Sequence, residues 1–155
     1  MAQTAVAVLA VATVPLAATA RADNQRLNNS VFSNVYTTQQ HAGCRNDLRV
    51  NPQLRLAAEW HTSDLLRNRE LDGDLGSDTS SPQDRAKAAG YRGKVAETVA
   101  INPALAISGV EIFHQWYDNP SYFVIMSDCS NTEIGVWSLN SVDRSVVVAV
   151  YGQPQ

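Results

Sequence analysis

The sequence has little charge of either sign and few cysteines or histidines. Only 17% of its 155 residues are charged, with 12 basic and 15 acidic side chains, and the basic ones are scattered. Nucleic-acid binding needs a concentrated basic surface, so no nucleic-acid partner is expected. The two cysteines, Cys44 and Cys129, and the three widely separated histidines match no zinc-ligand spacing. We therefore expect neither a metal site nor a cofactor.

Long hydrophobic runs are also missing, except near the beginning of the chain. Residues 5–20 are almost entirely Ala, Val, Leu, Thr and Pro, a stretch shorter than the roughly 20 residues of a membrane span. Ala20-Arg21-Ala22 then matches the small-x-small pattern of signal-peptidase sites. We expect residues 1–22 to be a signal peptide, 23–155 to form one domain, and no transmembrane segment to remain after cleavage. The alternative is an N-terminal anchor or a core helix.

Export would place the domain outside the cell or in the cell envelope, where disulfides persist. In that setting a lone pair of cysteines favours a bridge, and we expect one between Cys44 and Cys129. It would close a long loop and contribute roughly 4 kcal/mol in the loop-entropy model. Two buried free thiols are the alternative.

Apolar spacing and helix-start signals predict several helices followed by a β-hairpin. Helix starts are expected at Asn51-Pro52, Ser81-Pro82 and Asn102-Pro103, because Asn or Ser caps a helix and Pro fits its first turn. Strands are expected at 95–101, 134–139 and 145–151. A first helix is expected at 29–40, and the three later helices are expected to end near 68, at Gly90 and at Asn119-Pro120. Leu105, Ile112 and Trp116 would share one face of the last helix. This order, without regular βαβ alternation, predicts the α+β class.

Five segments in order resemble the motifs of bacterial CAP domains (cysteine-rich secretory, antigen 5, pathogenesis-related 1), also called SCP-like domains. The family patterns are L-x-x-A-A-x-x-H-S-x-D-M, G-S-D-G-S-S-P-x-x-R, G-E-N-I-A, W-x-x-S-P-G-H and T-E-I-G-V. The matching segments are 54–65, 76–85, 96–100, 116–122 and 132–136. The resemblance implies a three-layer α-β-α sandwich with a C-terminal antiparallel hairpin.

The functional centre of that family is a cleft with two histidines and two acids, which binds a divalent metal in some members. The resemblance places the two histidines at Asp74 and Tyr122, one acid at Glu97, and the other near Asn119. Only Glu97 keeps the residue type of the family. We therefore expect these four residues to line a ligand-binding cleft that holds no metal.

Two residues leave a choice between structural and functional roles. Glu97 is either a cleft ligand or a buried acid that bonds nearby backbone, and His61 lies on an apolar helix face, where a histidine is usually a hydrogen-bonded core residue. The favoured function is a non-catalytic exported domain that binds a small hydrophobic or amphipathic ligand, lipid or sterol-like, or an extracellular protein. The alternatives are a secreted hydrolase, protease or nuclease, that uses Glu97 with His61, and a structural envelope protein.

Overall fold

A computed structural model describes the backbone of residues 17–155 and the side chains from Asn24 onward. Residues 1–16, which hold most of the expected leader, lie outside the described residues, so the leader remains a prediction. Within the described part, no helix is long and apolar enough to cross a membrane. The elements are α1 (Ala17–His41), β1 (Arg49–Val50), α2 (Pro52–Arg67), α3 (Pro82–Ala88), β2 (Gly93–Asn102), α4 (Gly109–Tyr117), α5 (Pro120–Ser127), β3 (Glu133–Ser141) and β4 (Arg144–Pro154).

Helices α2 and α3 begin where their capping residues predict. The side chain of Asn51 accepts hydrogen bonds from the backbone N–H groups of Gln53 and Leu54, at 2.9 and 3.2 Å. Ser81 and Asp84 form a reciprocal capping box at the start of α3. These bonds satisfy N–H groups that have no partner inside a helix, which is why both starts are readable from sequence.

The four strands form one mixed sheet in the order β1-β3-β4-β2, with β1 parallel to β3 and the other pairs antiparallel. Strand β4 is central, and its side chains alternate between two cores because successive residues of a strand face opposite ways. Helices α2 and α3 cover one face, while α1, α4 and α5 cover the other. The core under α2 and α3 contains Val146, Val148 and Val150, and the core under α1, α4 and α5 contains Val147, Ala149 and Tyr151. The expected α+β class is confirmed.

A disulfide joins Cys44, just after α1, to Cys129, just after α5. The two Cα atoms are 5.2 Å apart, within the range that a bridge requires. This confirms the expected pairing. It ties the two loops that leave α1 and α5 at the same end of the sandwich.

The prediction that a helix begins at Asn102-Pro103 is wrong, because the helix begins later in the chain. Asn102 is the last residue of β2, paired with Ser145, and its side-chain amide donates to the carbonyl of Ala106 at 2.8 Å. Asn102, which the sequence pattern assigned to a helix cap, therefore belongs to the strand that pairs with β4. Helix α4 begins at Gly109, and Leu105 lies before it, 59% exposed.

Two other helix limits differ from the expectation. Asn119-Pro120 does end one helix, but it also starts α5, because the Asn119 side chain accepts from the N–H groups of Ser121 and Tyr122. Helix α1 is longer than the predicted 29–40, since it begins at Ala17. Strand β1 has two residues, too few to produce a readable alternation.

The outer edge of β2 is covered by side chains instead of by another strand. The Gln83 amide donates to the carbonyl of Gly93 at 2.9 Å and accepts from the N–H of Val95 at 3.1 Å, as a neighbouring strand would. Farther along, Gln115 donates to the carbonyl of Ile101 at 3.4 Å. Exposed sheet edges pair readily with other chains, so these contacts protect the edge.

Replacing Gln83 by Ala should therefore weaken the fold and open the edge of β2. We expect the free energy of unfolding in urea to fall by about 1 kcal/mol, the usual contribution of such hydrogen bonds, and self-association to increase. Gln53→Ala is the matched control, because Gln53 follows Asn51-Pro52 as Gln83 follows Ser81-Pro82. Equal stability and equal light scattering for the two variants would contradict the role given to Gln83.

Candidate functional site

Glu97 lies in the middle of β2 with its side chain fully buried. A buried carboxyl group needs polar partners, and Glu97 has two. Nη2 of Arg85, from α3, lies 3.0 Å from Oε1 and 3.1 Å from Oε2. Nε2 of His61, from α2, lies 3.3 Å from Oε1. We call Glu97, Arg85 and His61 the buried polar cluster.

The same cluster holds the loop between α2 and α3, residues 71–81. Arg85 donates to the carbonyl oxygens of Asp74 and Ser80, both at 2.7 Å. His61 Nε2 lies 2.9 Å from the carbonyl oxygen of Gly73. A carbonyl only accepts, so Nε2 carries the proton of this ring. The loop conformation therefore depends on side chains from both helices.

A second anchor of this loop is Asp64 on α2. Its carboxylate accepts from the backbone N–H and the hydroxyl of Ser77, both at 2.7 Å. Burial opposes the ionised form, but the bonds from Ser77 and Asn68 outweigh it and lower the pKa of Asp64. A polar cleft of about 710 Å³ lies here between α2, the loop and α3. Several of its polar groups are already used to hold the loop.

Burial dominates the titration of the cluster. It raises the pKa of Glu97 to about 8, although the charge and hydrogen bond of Arg85 act in the opposite direction. Burial also lowers the pKa of His61, and the nearby Arg85 charge adds to this effect. Both shifts disfavour the charged form, as expected for groups enclosed in a medium of low dielectric constant.

Of the four residues predicted for the cleft, Glu97 belongs to the buried polar cluster, and Asp74 contributes its backbone carbonyl as an acceptor from Arg85. The Asp74 charge also adds to the raised pKa of Glu97. Burial raises the pKa of Tyr122, a hydrogen bond with the Val99 backbone opposes this, and the charges of Glu97 and Asp74 add to the rise. The side-chain oxygen of Asn119 instead caps α5, one turn from Tyr122. Asp74 and Asn119 are exposed, whereas Tyr122 is half-buried.

These residues do not fit the divalent metal that some CAP domains carry. The Arg85 guanidinium already lies against both oxygens of Glu97, where a cation would bind. Tyr122 supplies no imidazole, and His61 uses its protonated nitrogen on Gly73. Among residues 24–155, no group of three His, Cys, Asp or Glu side chains is arranged to hold a metal ion.

Nε2 of His61 lies 3.3 Å from Oε1 of Glu97, slightly beyond the roughly 2.6–3.2 Å of direct proton transfer. Both side chains have no exposed surface. Nδ1 of His61 is also buried and makes no hydrogen bond within the described residues. His61 lies beneath the wall of the polar cleft, but it presents no accessible surface to a substrate in this conformation.

On the opposite side of the sheet, α1, α4 and α5 enclose a groove of about 510 Å³. Phe113 and Tyr117 stack with ring centres 4.8 Å apart, and Tyr117 meets the edge of Phe123 at 4.9 Å. Val110 extends this apolar wall and is 67% exposed. We call this feature the α1/α4/α5 groove.

Sequence reasoning did not find this groove. Phe113 and Tyr117 are four residues apart on α4, so they share one helix face, and Val110 lies one turn earlier. That face differs from the buried one formed by Ile112 and Trp116. A second apolar face on a short helix was the available signal. Phe123 comes from another helix, and its approach is not readable from spacing.

Of three comparisons with known proteins, one finds matches. No family model matches the chain, and no curated protein matches it in sequence. Solved structures do match. An outer surface protein of Borrelia burgdorferi superposes with a TM-score of 0.73 at 16% identity, covering 84% of this chain and 95% of that one.

Two further solved structures extend the likeness. An extracellular protein with an SCP domain from Bacillus anthracis has a TM-score of 0.75 at 12% identity, covering 92% of this chain but 45% of its own. A venom allergen-like protein of Schistosoma mansoni has a TM-score of 0.55 at 10% identity, covering 83% and 89%. At such identities the likeness concerns the fold alone. The chain has the CAP fold that its motifs predicted.

The raised pKa of Glu97 predicts how stability depends on pH. Between its ordinary value of 4.5 and about 8, the folded protein holds one proton more than the unfolded chain. The free energy of unfolding should therefore fall as pH rises, by up to about 1.4 kcal/mol per pH unit, and level off above about pH 8. Urea unfolding from pH 6.5 to 9 tests this. His61 acts in the opposite direction near pH 6.5, because its pKa is lowered in the folded protein and ordinary in the unfolded chain, so the effect of Glu97 is the difference between the wild type and a variant that lacks this carboxyl group.

Glu97→Gln is the matched control for this measurement, since it keeps the shape of a protonated carboxyl group. The variant should lack the fall in stability between pH 6.5 and 8. If the wild type and Glu97→Gln show the same pH dependence, Glu97 is ionised throughout and paired with Arg85.

Zinc should not bind at the positions that correspond to the metal centre. The Arg85 charge beside Glu97 repels a cation, and Asp74 alone is too weak a ligand. Isothermal titration with Zn²⁺ at neutral pH should give no single-site heat. A tight isotherm that Glu97→Ala abolishes would overturn this expectation.

Proposed function

We propose that this chain, which has the CAP fold, is a non-catalytic exported domain that binds a small apolar or amphipathic ligand in the α1/α4/α5 groove. The observation that carries the proposal is the aromatic wall of this groove. Tyr117 packs between Phe113 and Phe123 and keeps 45% of its surface exposed. Large exposed aromatic surface in a concave site is typical of small-molecule binding.

The size and composition of the groove support the proposal. Its volume of about 510 Å³ lies within the range of ligand pockets, roughly 300 to 1,000 Å³. Val110 and the aromatic rings form one side, and polar residues of α1 such as Asn34 and Thr37 form the other. A ligand with an apolar body and a polar group matches this division. Lipid-like molecules have that form.

A non-catalytic role is supported by the enclosure of the buried polar cluster. His61 and Glu97 lie close together, but neither side chain is exposed, and each contacts other groups of the fold. The hydrolase alternative would need His61 to meet a substrate. Turnover of a casein or nucleic-acid substrate that is lost in His61→Gln, while the variant stays folded, would contradict this part of the proposal.

Export is supported by the disulfide and by the structural neighbours. The bridge between Cys44 and Cys129 suits an oxidising compartment. The Borrelia protein is described as an outer surface protein and the Bacillus protein as extracellular. We propose the same location here, either free or attached to the cell envelope. An extracellular protein partner remains part of the proposal.

Placing a charge in the groove should weaken ligand binding. Val110→Glu puts a carboxylate on the apolar wall, and a ligand that buries it unpaired loses several kcal/mol of binding free energy. Binding of Nile red, an uncharged apolar dye, should weaken at least about tenfold, which corresponds to about 1.4 kcal/mol. Fluorescence titration of the purified protein measures this.

Val124→Glu is the matched control, because Val124 is 66% exposed against 67% for Val110 and does not line the groove. It should bind Nile red as the wild type does, and both variants should melt within a few degrees of it. If both variants bind the dye equally, the groove is not the ligand site.

A further inference from the structure

The polar cleft between α2, the 71–81 loop and α3 has one wall whose polar groups remain available. Glu59, Ser63 and Arg67 follow one another at four-residue spacing, so they form one row along α2, and all three line the cleft. Within residues 24–155, the Glu59 carboxylate and the Ser63 hydroxyl have no bonding partner. Arg67 donates through Nε to the carbonyl of Ser63 at 3.2 Å and keeps its other N–H groups. This row therefore offers both acceptors and donors to a molecule in the cleft.

The aspartates of the cleft, in contrast, are already bonded. The Asp78 carboxylate accepts from the N–H of Ser80 at 3.0 Å, and the Asp84 carboxylate accepts from the N–H and hydroxyl of Ser81 at 3.0 and 2.7 Å. These bonds lower the pKa of both acids, and the pKa of Asp64 is lowered too, so all three are ionised at neutral pH. Among the described lining residues, four carboxylates face two arginines. This excess of negative charge opposes an anionic ligand.

An exposed tryptophan lies beside the row on α2. Trp60 follows Glu59, lines the cleft and keeps 41% of its surface exposed, although tryptophan is mostly buried in proteins. Of the lining residues that the structure describes, Trp60 and Ala88 are the apolar ones. The cleft thus combines one flat apolar surface with a polar surround. A matching ligand has a flat apolar face and polar groups at its edge.

From these features we infer that the polar cleft binds a neutral oligosaccharide. A pyranose ring with equatorial hydroxyl groups presents C–H groups on its faces and hydroxyl groups at its edge. One face packs on the indole ring of Trp60, and the hydroxyl groups, each a donor and an acceptor, bond to Glu59, Ser63 and Arg67. The row from Glu59 to Arg67 spans about 12 Å of helix, long enough for more than one sugar unit.

This site is separate from the α1/α4/α5 groove, because α2 and α3 cover the other face of the sheet. The inference therefore goes beyond the proposed function and does not depend on it. A neutral saccharide also suits the mixed charge of the row, where an acid and a base stand two turns apart. A cationic peptide would gain Glu59 but would meet the guanidinium of Arg67 in the same row.

Isothermal titration of the full chain with cellotetraose tests the inference, since its β-1,4-linked glucose units are neutral and have equatorial hydroxyl groups. We expect cellotetraose to bind, and β-1,4-linked tetraglucuronate, which adds carboxylates, to bind at least about tenfold more weakly. Absence of cellotetraose binding, or equal binding of tetraglucuronate, would overturn the inference. Tighter binding of tetralysine than of cellotetraose would also overturn it, because the cleft would then be a site for a cationic peptide.

Substitution of Trp60 tests the stacking contact. Trp60→Ala should weaken cellotetraose binding about tenfold or more, whereas Trp60→Phe keeps an aromatic face and should retain most of the affinity. Leu56→Ala is the matched control, because Leu56 lies one turn earlier on α2, is 37% exposed and does not line the cleft. It should bind as the wild type does, and all three variants should melt within a few degrees of it. Equal affinities of Trp60→Ala and Leu56→Ala would overturn the inference.

Two further variants locate the sugar. Ser63→Ala removes one available hydroxyl group and should reduce the affinity roughly 2- to 12-fold, the range of one hydrogen bond. Val110→Glu, in the groove across the sheet, should leave cellotetraose binding unchanged even though it weakens binding of Nile red. Loss of cellotetraose binding in Val110→Glu would place the sugar in the groove and overturn the inference. Failure of the wild type to bind Nile red would overturn the proposed function and leave this site intact.

Discussion

The carboxyl group of Glu97 is enclosed on the inner side of β2, and the surrounding structure is arranged to satisfy it. Arg85 crosses from α3 to reach both carboxyl oxygens, and His61 approaches from α2. A guanidinium group has five N–H donors, so Arg85 also reaches the carbonyls of Asp74 and Ser80. One buried acid therefore links two helices, a strand and the loop between the helices. Loss of a single partner would leave a polar group buried without compensation, which is costly.

This cluster contains the one acid that the sequence motifs assign to the metal centre of CAP domains, but its chemistry differs from that of a metal site. A fixed guanidinium replaces an exchangeable cation beside Glu97, and the histidine near this acid is a core residue of α2. The arrangement uses polar groups to hold a conformation. The groove with the aromatic wall lies across the sheet, where Tyr117 remains partly exposed beside Phe113 and Phe123. Strand β4, buried on both faces, separates the two regions.

Local signals predicted much of the fold because they depend on neighbouring residues. Asn51 and Ser81 cap helices through bonds to N–H groups two or three residues away, so the sequence alone reveals them. Asn102 carried the same signal but belongs to a strand, since ten residues of pairing with β4 outweigh one cap. The apolar run of β4 indicated a strand, whereas its burial on both faces depends on where the helices pack.

The sequence by itself determined the class of fold and the caps of α2 and α3, because apolar periodicity and capping depend on residues that are close along the chain. It also indicated the disulfide, because the chain has two cysteines and no third. The tertiary structure alone decided that Arg85 is the main partner of Glu97, that His61 is enclosed, and that Phe123 completes the wall of the groove. Each of these contacts joins separate elements. Their geometry depends on how helices and sheet pack, and residue spacing along the chain carries no record of that packing.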